Sequence, residues 1–456
     1  MDVSTPSVEL AGARFASHVA GARFGDLPAA AIAAAKVFIL DTFGVGVAGS
    51  TAAGAAALLQ GAVGWGAGSE AAVWGRSDRL PGPAAALVNG FQVHCQEYDC
   101  VHEGAVLHPL ATLLPAALAV AERVGGVSGA DLLLAVAVGV DVSAGLGVAS
   151  RSGLRFFRPE TSGGFGAAAT VARLLRLDAA RVLAAFGLQY AQTSGTMQAH
   201  VEGSVALPMQ VGFNSRAAVC SGDLAAAGLT GPTDVFEGPY GYMRLFEGEW
   251  DLGPVLDGLG ERWRIAELSH KPYPAGRATH GGIEGVSHLM QTCALNDIVE
   301  IEVEGPPVLQ RLCGRMPFVG MSPNFARLST GFAVANVLRH GSLDLSHFRG
   351  DALHDPETIA LAGLVRVTVS AVTDPNALGP QRVMVRLKDG SVREWSCEPL
   401  LASPQRPLSR EQHLAKFHRC WSFSAEPLGP PEALIEMVDG LETLPDIRAL
   451  ARLLQP

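Results

Sequence analysis

Residues 89–122 read NGFQVHCQEYDCVHEGAVLHPLATLLPAALAVAE. Two apolar segments flank three imidazoles and three carboxylates: His94, Glu97, Asp99, His102, Glu103 and His108. The first segment belongs to GPAAALVNGFQVHCQEYD (82–99), which follows a proline and keeps apolar residues at helical spacing. The second begins at His108-Pro109, and proline is favoured in the first turn of a helix. The stretch therefore predicts helix, polar loop, helix. Charges set between buried helices need partners, because an unpaired charge in an apolar interior is costly. The loop is a candidate site.

The helical texture extends outward over residues 27–265. AAAIAAAKVFILDTFGVGVAG (29–49), GADLLLAVAVGVDVSAGLG (129–147), GGFGAAATVARLLRL (163–177), AARVLAAFGLQYAQTSG (179–195) and SRAAVCSGDLAAAGL (215–229) all read as helices. The texture changes near residue 265. NDIVEIEVEG (296–305), LVRVTVSAV (364–372) and RVMVRLKDGSVREWSC (382–397) read as strands, the last folded as a hairpin at Asp389-Gly390. FARLSTGFAVANVLRHG (325–341), HLAKFHRCW (413–421) and ALIEMVDGLETLPDIRALARLL (433–454) return to helix. The expected fold is mainly α: an all-helical domain over 1–267, a smaller α+β domain over 268–400, and C-terminal helices over 401–456 that rejoin the first domain. Ligands often bind where two such domains meet.

Composition narrows the function. Hydrophobic residues make up 48% of the 456 and charged residues 17%, with a net charge of −10. No basic face is visible, so nucleic acid is not an expected partner. Seven cysteines form no C-x-x-C pair, which argues against a zinc or iron–sulfur site and fits reduced thiols in a cytoplasmic protein. The N-terminus lacks a basic segment followed by an apolar core, so no signal peptide is expected. LLLAVAVGVDVSAGLGVAS (132–150) is glycine-rich and carries Asp141, so it reads as a buried helix rather than a membrane span. DTFGVGVAGS (41–50) lacks the strand that precedes a dinucleotide-binding turn, and that reading is rejected.

The acidic cluster followed by His108-Pro109 resembles the MmgE/PrpD family. DTFGVGVAGS, GGFGAAATVARLLRLD, HKPYPAGRATHGGIEG (270–285) and FARLSTGFAVANVL are similar to family segments in the same order. The resemblance covers nearly the whole chain, and KPYP-x-x-R-x-x-H is among its most specific parts. It implies a helical domain with a lid-like α+β domain, a homodimer, and no metal or organic cofactor. It also implies chemistry on a small anionic carboxylate: dehydration, decarboxylation or epimerisation through a carbanion-like centre beside a carboxylate.

On that resemblance His108 is the expected acid/base, supported by Asp99, Glu97 and His102. Glu97 stands where the family often has aspartate. Lys271, Arg277 and His280 are the expected carboxylate binders; a guanidinium fork suits a carboxylate. Arg277 and His280, at i and i+3, are expected to face one cleft. Arg158 stands where decarboxylase-like members carry histidine and is expected to bind a substrate anion. Other family positions are changed: Leu207 replaces a lysine, Gln210 and Gly276 replace histidines, and Phe332 stands where tyrosine is common. His94, His200 and the histidines near the C-terminus are expected to be structural. The leading expectation is a hydro-lyase acting α to a carboxylate of a small di- or tricarboxylate. An isomerase, a decarboxylase and a non-catalytic ligand-binding homologue are the alternatives.

Overall fold

Helix after helix in the first half is built from Ala, Gly, Val and Leu, and such small side chains let helix backbones approach closely. The computed structural model describes residues 10–456, so most of the segment that bears on a signal peptide lies outside the described residues. The helical body runs α1 (Ala11–Gly21), α2 (Ala29–Gly49), α3 (Ala55–Val63), α4 (Gly82–His94), α5 (Pro109–Val124), α6 (Gly129–Ala149), α7 (Arg158–Leu174), α8 (Ala179–Tyr190), α9 (Gln198–Glu202) and α10 (Ala206–Ala226). α6 is long and apolar enough to cross a membrane, yet 94% of its apolar window is buried inside the protein. It packs along α7, where a Cβ on Gly139 would stand 2.0 Å from Thr170 Oγ1. The Gly44-x-Gly46-x-x-Gly49 run, spaced like a nucleotide loop, lies inside α2 instead. A Cβ on Gly49 would meet the Gln92 carbonyl at 1.9 Å, so this glycine serves the close crossing of α2 and α4.

The body is not wholly helical. β1 (Ala71–Ala72) pairs with β2 (Arg79–Leu80), and β3 (Val101–His102) pairs with β4 (Leu268–Ser269), both antiparallel. Residues 227–267, expected as helix, form mostly turns with three short helical pieces. Glycine and proline recur through GPTDVFEGPYGY and break the helical pattern.

Beyond β4 the chain builds a four-stranded sheet in the order β6-β5-β7-β8, with β5 Ile298–Gly305, β6 Val365–Val369, β7 Gln381–Leu387 and β8 Val392–Cys397. β5 and β6 are parallel and the other pairs antiparallel. The β7–β8 hairpin turns at Gly390, whose φ is +84°. Helix His280–Leu289 packs on β7 and β8. Helix Arg410–Trp421 then returns to pack on α2. Its Lys416 Nζ sits 2.8 Å from Asp41 of α2 and donates to the Tyr98 carbonyl at 2.8 Å. The C-terminal segment is thereby fastened to the polar loop.

Asp41 and Lys416 are 1% and 6% exposed. Removing one partner strands the other charge, which costs roughly 3–5 kcal/mol in buried pairs. Asp41→Ala is expected to lower stability in urea by about that amount. A loss under about 1 kcal/mol would show that Lys416 finds other solvation.

Candidate active site

The β3–β4 pair sets the site. Its register places Val101 opposite Ser269 and His102 opposite Leu268. Two residues past β4, Lys271 therefore reaches Glu97, 174 residues away in sequence. Glu97 and Val106 bracket the loop with φ of 48° and 49°. Both lie in the left-handed region that side chains other than glycine rarely adopt, and such positions concentrate at functional sites.

The loop's charges are buried and paired. Lys271 Nζ donates to Glu97 Oε2 at 2.8 Å and lies 3.7 Å from Asp99 Oδ1. Asp99 Oδ2 takes His94 Nδ1 at 2.9 Å and lies 3.4 Å from His108 Nδ1. Burial would raise the Glu97 carboxyl, but the Lys271 ammonium and His94 outweigh it and bring it to about 2. Asp99 is held low in the same way, against burial, by His108 and His94. Burial pulls His94 down, yet Asp99 and Glu97 prevail and raise it above its ordinary value. His108 goes the other way: burial, then the Lys271 ammonium, lower it to about 4.

A cavity of about 60 Å³ adjoins this cluster, between the helical body and the sheet unit. Its charged and imidazole side chains are Glu97, His108, His200 and Arg277. Val106, Leu154, Phe157, Met197, Leu312 and Leu378 supply much of the rest. Ligand pockets usually exceed about 300 Å³, so this cavity suits a small ligand.

Hydrogen bonding assigns the two cavity imidazoles opposite tautomers. His108 Nδ1 lies 3.0 Å from the Cys100 carbonyl, which can only accept, so the proton is on Nδ1 and Nε2 is a base. His200 Nδ1 lies 3.0 Å from Arg315 Nη2, which can only donate, so in the neutral ring the proton is on Nε2. Burial and the Arg315 guanidinium lower His200 to about 4. The pair offers one acceptor and one donor.

The family model for the MmgE/PrpD N-terminal domain matches residues 13–254, and that for the MmgE/PrpD C-terminal domain matches residues 273–437. The chain belongs to the MmgE/PrpD family. Among its relatives, the cis-aconitate decarboxylase of Homo sapiens is 27% identical, aligned over 97% of this chain and 94% of the relative. That of Aspergillus terreus is 27% identical over 94% of this chain and 92% of the relative.

Several positions expected to serve this MmgE/PrpD site lie elsewhere. Arg158 is 1% exposed and does not line the cavity. Its Nε donates to Glu247 at 2.9 Å, and its two terminal nitrogens donate to Ala105 O, Asn376, Ser150 and Ser152 O. Glu247, 89 residues away, supplies the charge that Arg158 needs. His102 faces a separate groove, with Nε2 2.9 Å from Glu267 and Nδ1 capping a short turn at Ala105 N. Lys271 is 0% exposed and sits behind Glu97 rather than in the cavity wall. His280 sits behind Arg277, its Nε2 donating to the Ala275 carbonyl at 3.2 Å. Arg277 does reach the cavity, though its Nε and Nη2 donate to Glu103 at 2.9 and 2.7 Å.

The changed family positions divide likewise. Leu207 is buried, and Phe332 packs against Phe348 in the sheet unit. Gln210 clasps the Thr196 backbone beside Met197. Gly276 lines the cavity, and a Cβ there would stand 2.8 Å from Cys313 Sγ. His200, expected to be structural, is the cavity residue the sequence concealed. Only Arg315, 115 residues away, reveals its tautomer.

His94, Asp99 and His108 place one donor atom each within 4.8 Å of one another, as a metal site would. Both Nδ1 atoms, however, hold protons directed at Asp99 or the Cys100 carbonyl, and the Lys271 ammonium stands beside them. That donor set suits proton chemistry better than a cation.

The lowered histidines make a stability prediction. A histidine depressed on folding contributes stability that is complete above its unfolded pKa, about 6.5. The contribution is lost as pH falls toward the folded value, about 4 for His108 and His200. Melting temperature is expected to fall between pH 6.5 and 4, and less steeply in His108→Gln. An unchanged slope in the variant would show that His108 is not held neutral by the fold.

Proposed function

We propose that the protein is a cofactor-independent lyase that moves a proton at the carbon α to a carboxylate. The observation that carries this is the His108–Asp99 dyad at the cavity wall. His108 Nε2 accepts the substrate proton, and Asp99 beside Nδ1 stabilises the imidazolium that forms. His200 Nε2–H, in the same cavity, supports the departing hydroxyl of an elimination. Arg277 meets the substrate carboxylate, and the N-termini of α5 and α7 abut the cavity at His108 and Phe157, favourable ends for an anion. Isomerisation would use the same proton removal followed by return.

Decarboxylation is the second reading. The apolar wall favours it, because a carboxylate held away from water departs readily as neutral CO₂. The two relatives are cis-aconitate decarboxylases, which points the same way.

Incubation of the protein with small carboxylic acids in D₂O, followed by proton NMR, tests the reading. Loss of the α C–H signal is expected, slowed about a hundredfold or more by His108→Gln. Exchange untouched by that substitution, or absent for every acid that binds, would leave a ligand-binding homologue. The acid limb of kcat/KM is expected near pH 4, the lowered value of His108. A limb near 6.5 would place the base elsewhere.

A further inference from the structure

The cavity wall limits how many negative charges a ligand can bring. Arg277 is the cation among its lining side chains, and it already carries Glu103. The other nearby cations lie outside that lining, among them Arg311, which donates to the Leu154 carbonyl. Lys271 lies behind Glu97, and Arg315 lies behind His200. Arg327 donates to Gln96 at 2.6 Å, 3% exposed beneath the loop, and Arg158 is held by Glu247. Glu97, brought to about 2, presents a fixed negative charge to the cavity.

The positions that could supply more polar groups do not. Gly276 contributes no side chain, and a Cβ there would stand 2.8 Å from Cys313 Sγ and 3.0 Å from Leu328 Cδ2. A polar side chain at 276 would displace the wall. Leu207 and Phe332 are 1% and 0% exposed and are not cavity residues. A second carboxylate on the ligand would find neutral donors at His200 Nε2 and the N-termini of α5 and α7, but no second cation, and Glu97 beside it. Burying a charge without a partner is strongly unfavourable.

We infer that the substrate carries a single carboxylate on a short apolar skeleton, rather than the two or three carboxylates the sequence suggests. Arg277 takes that carboxylate, His108 Nε2 meets the adjacent carbon, and the aliphatic wall takes the remainder. This rests on the proton-transfer reading above for the reaction, but the class of ligand stands on the wall alone.

The test uses the native protein and acids matched in skeleton: crotonate, 3-methylcrotonate and 3-hydroxybutyrate against fumarate, mesaconate and cis-aconitate. Calorimetry reads binding and NMR in D₂O reads exchange. A monocarboxylate is expected to bind at least tenfold more tightly than its matched dicarboxylate, and Arg277→Met is expected to abolish that binding. Exchange is expected to follow the same order, with about a hundredfold preference. Tighter binding or faster His108-dependent exchange with mesaconate or cis-aconitate would overturn the inference and leave proton transfer intact. No binding by any of the three monocarboxylates would overturn it as well. Tight monocarboxylate binding without exchange would uphold the ligand class and sink the proton-transfer reading.

Discussion

One carboxylate organises the site. Asp99 Oδ2 faces both His94 and His108, while Oδ1 faces the Lys271 ammonium. Asp99 and Lys271 are each 0% exposed, so neither charge is compensated by water. The ion pairing is tolerable only when complete, because removing one partner strands the other charge. Completeness depends on the β3–β4 pairing that delivers Lys271 to the loop. The docking of the sheet unit and the electrostatics of the dyad are therefore one constraint. A shift of the sheet unit that withdrew Lys271 would change the charge on Glu97 and the basicity of His108 together.

The fold was largely legible because its elements are local. Apolar spacing and a proline at the first turn marked α4 and α5, and β-branched alternation marked β5 and β7. The errors also have local causes. Pro208 sits in the first turn of α10, where proline is tolerated, and it concealed a start nine residues before Ser215. Pro159 did the same for α7, which begins at Arg158. The site was legible to the extent that it is contiguous: Glu97, Asp99 and His108 lie within one loop, and two of them reach the cavity wall. What sequence spacing could not reveal is pairing at a distance. Glu247 holds Arg158, Glu97 holds Lys271, Glu267 holds His102 and Arg315 fixes His200. A charged side chain in a sequence looks available for ligand until its partner is known, and three expected ligand-facing groups were already taken.

Arg158 shows how such a reassignment alters design as well as inventory. Its guanidinium joins the start of α7 to Asn376 of the sheet unit and to the Ala105 carbonyl of the site loop. The Arg158 guanidinium holds the loop from one side while Lys271 holds it from the other. The strained backbone at Glu97 and Val106 lies between these two anchors. Strain of that kind persists only when the surroundings over-determine the conformation, and two buried ion pairs do so.

The low proton affinity of His108 suits its assigned task for a reason that lies in the timing of charge. A base near pKa 4 is neutral at ordinary pH, so it is always ready to accept, but it binds the proton weakly. Two of the forces that depress it are burial and the Lys271 ammonium. Entry of an anionic ligand beside His108 adds a charge of the opposite sign to Lys271, and a negative charge in a low-dielectric cavity raises the proton affinity of an imidazole. The growing negative charge on the substrate carbon raises it further as the proton leaves. The base is thus weakest in the empty site and strongest when the substrate is in place. The Cys100 carbonyl at Nδ1, with Asp99 beside it, fixes the ring so that the added basicity appears at Nε2, the nitrogen free to accept the proton.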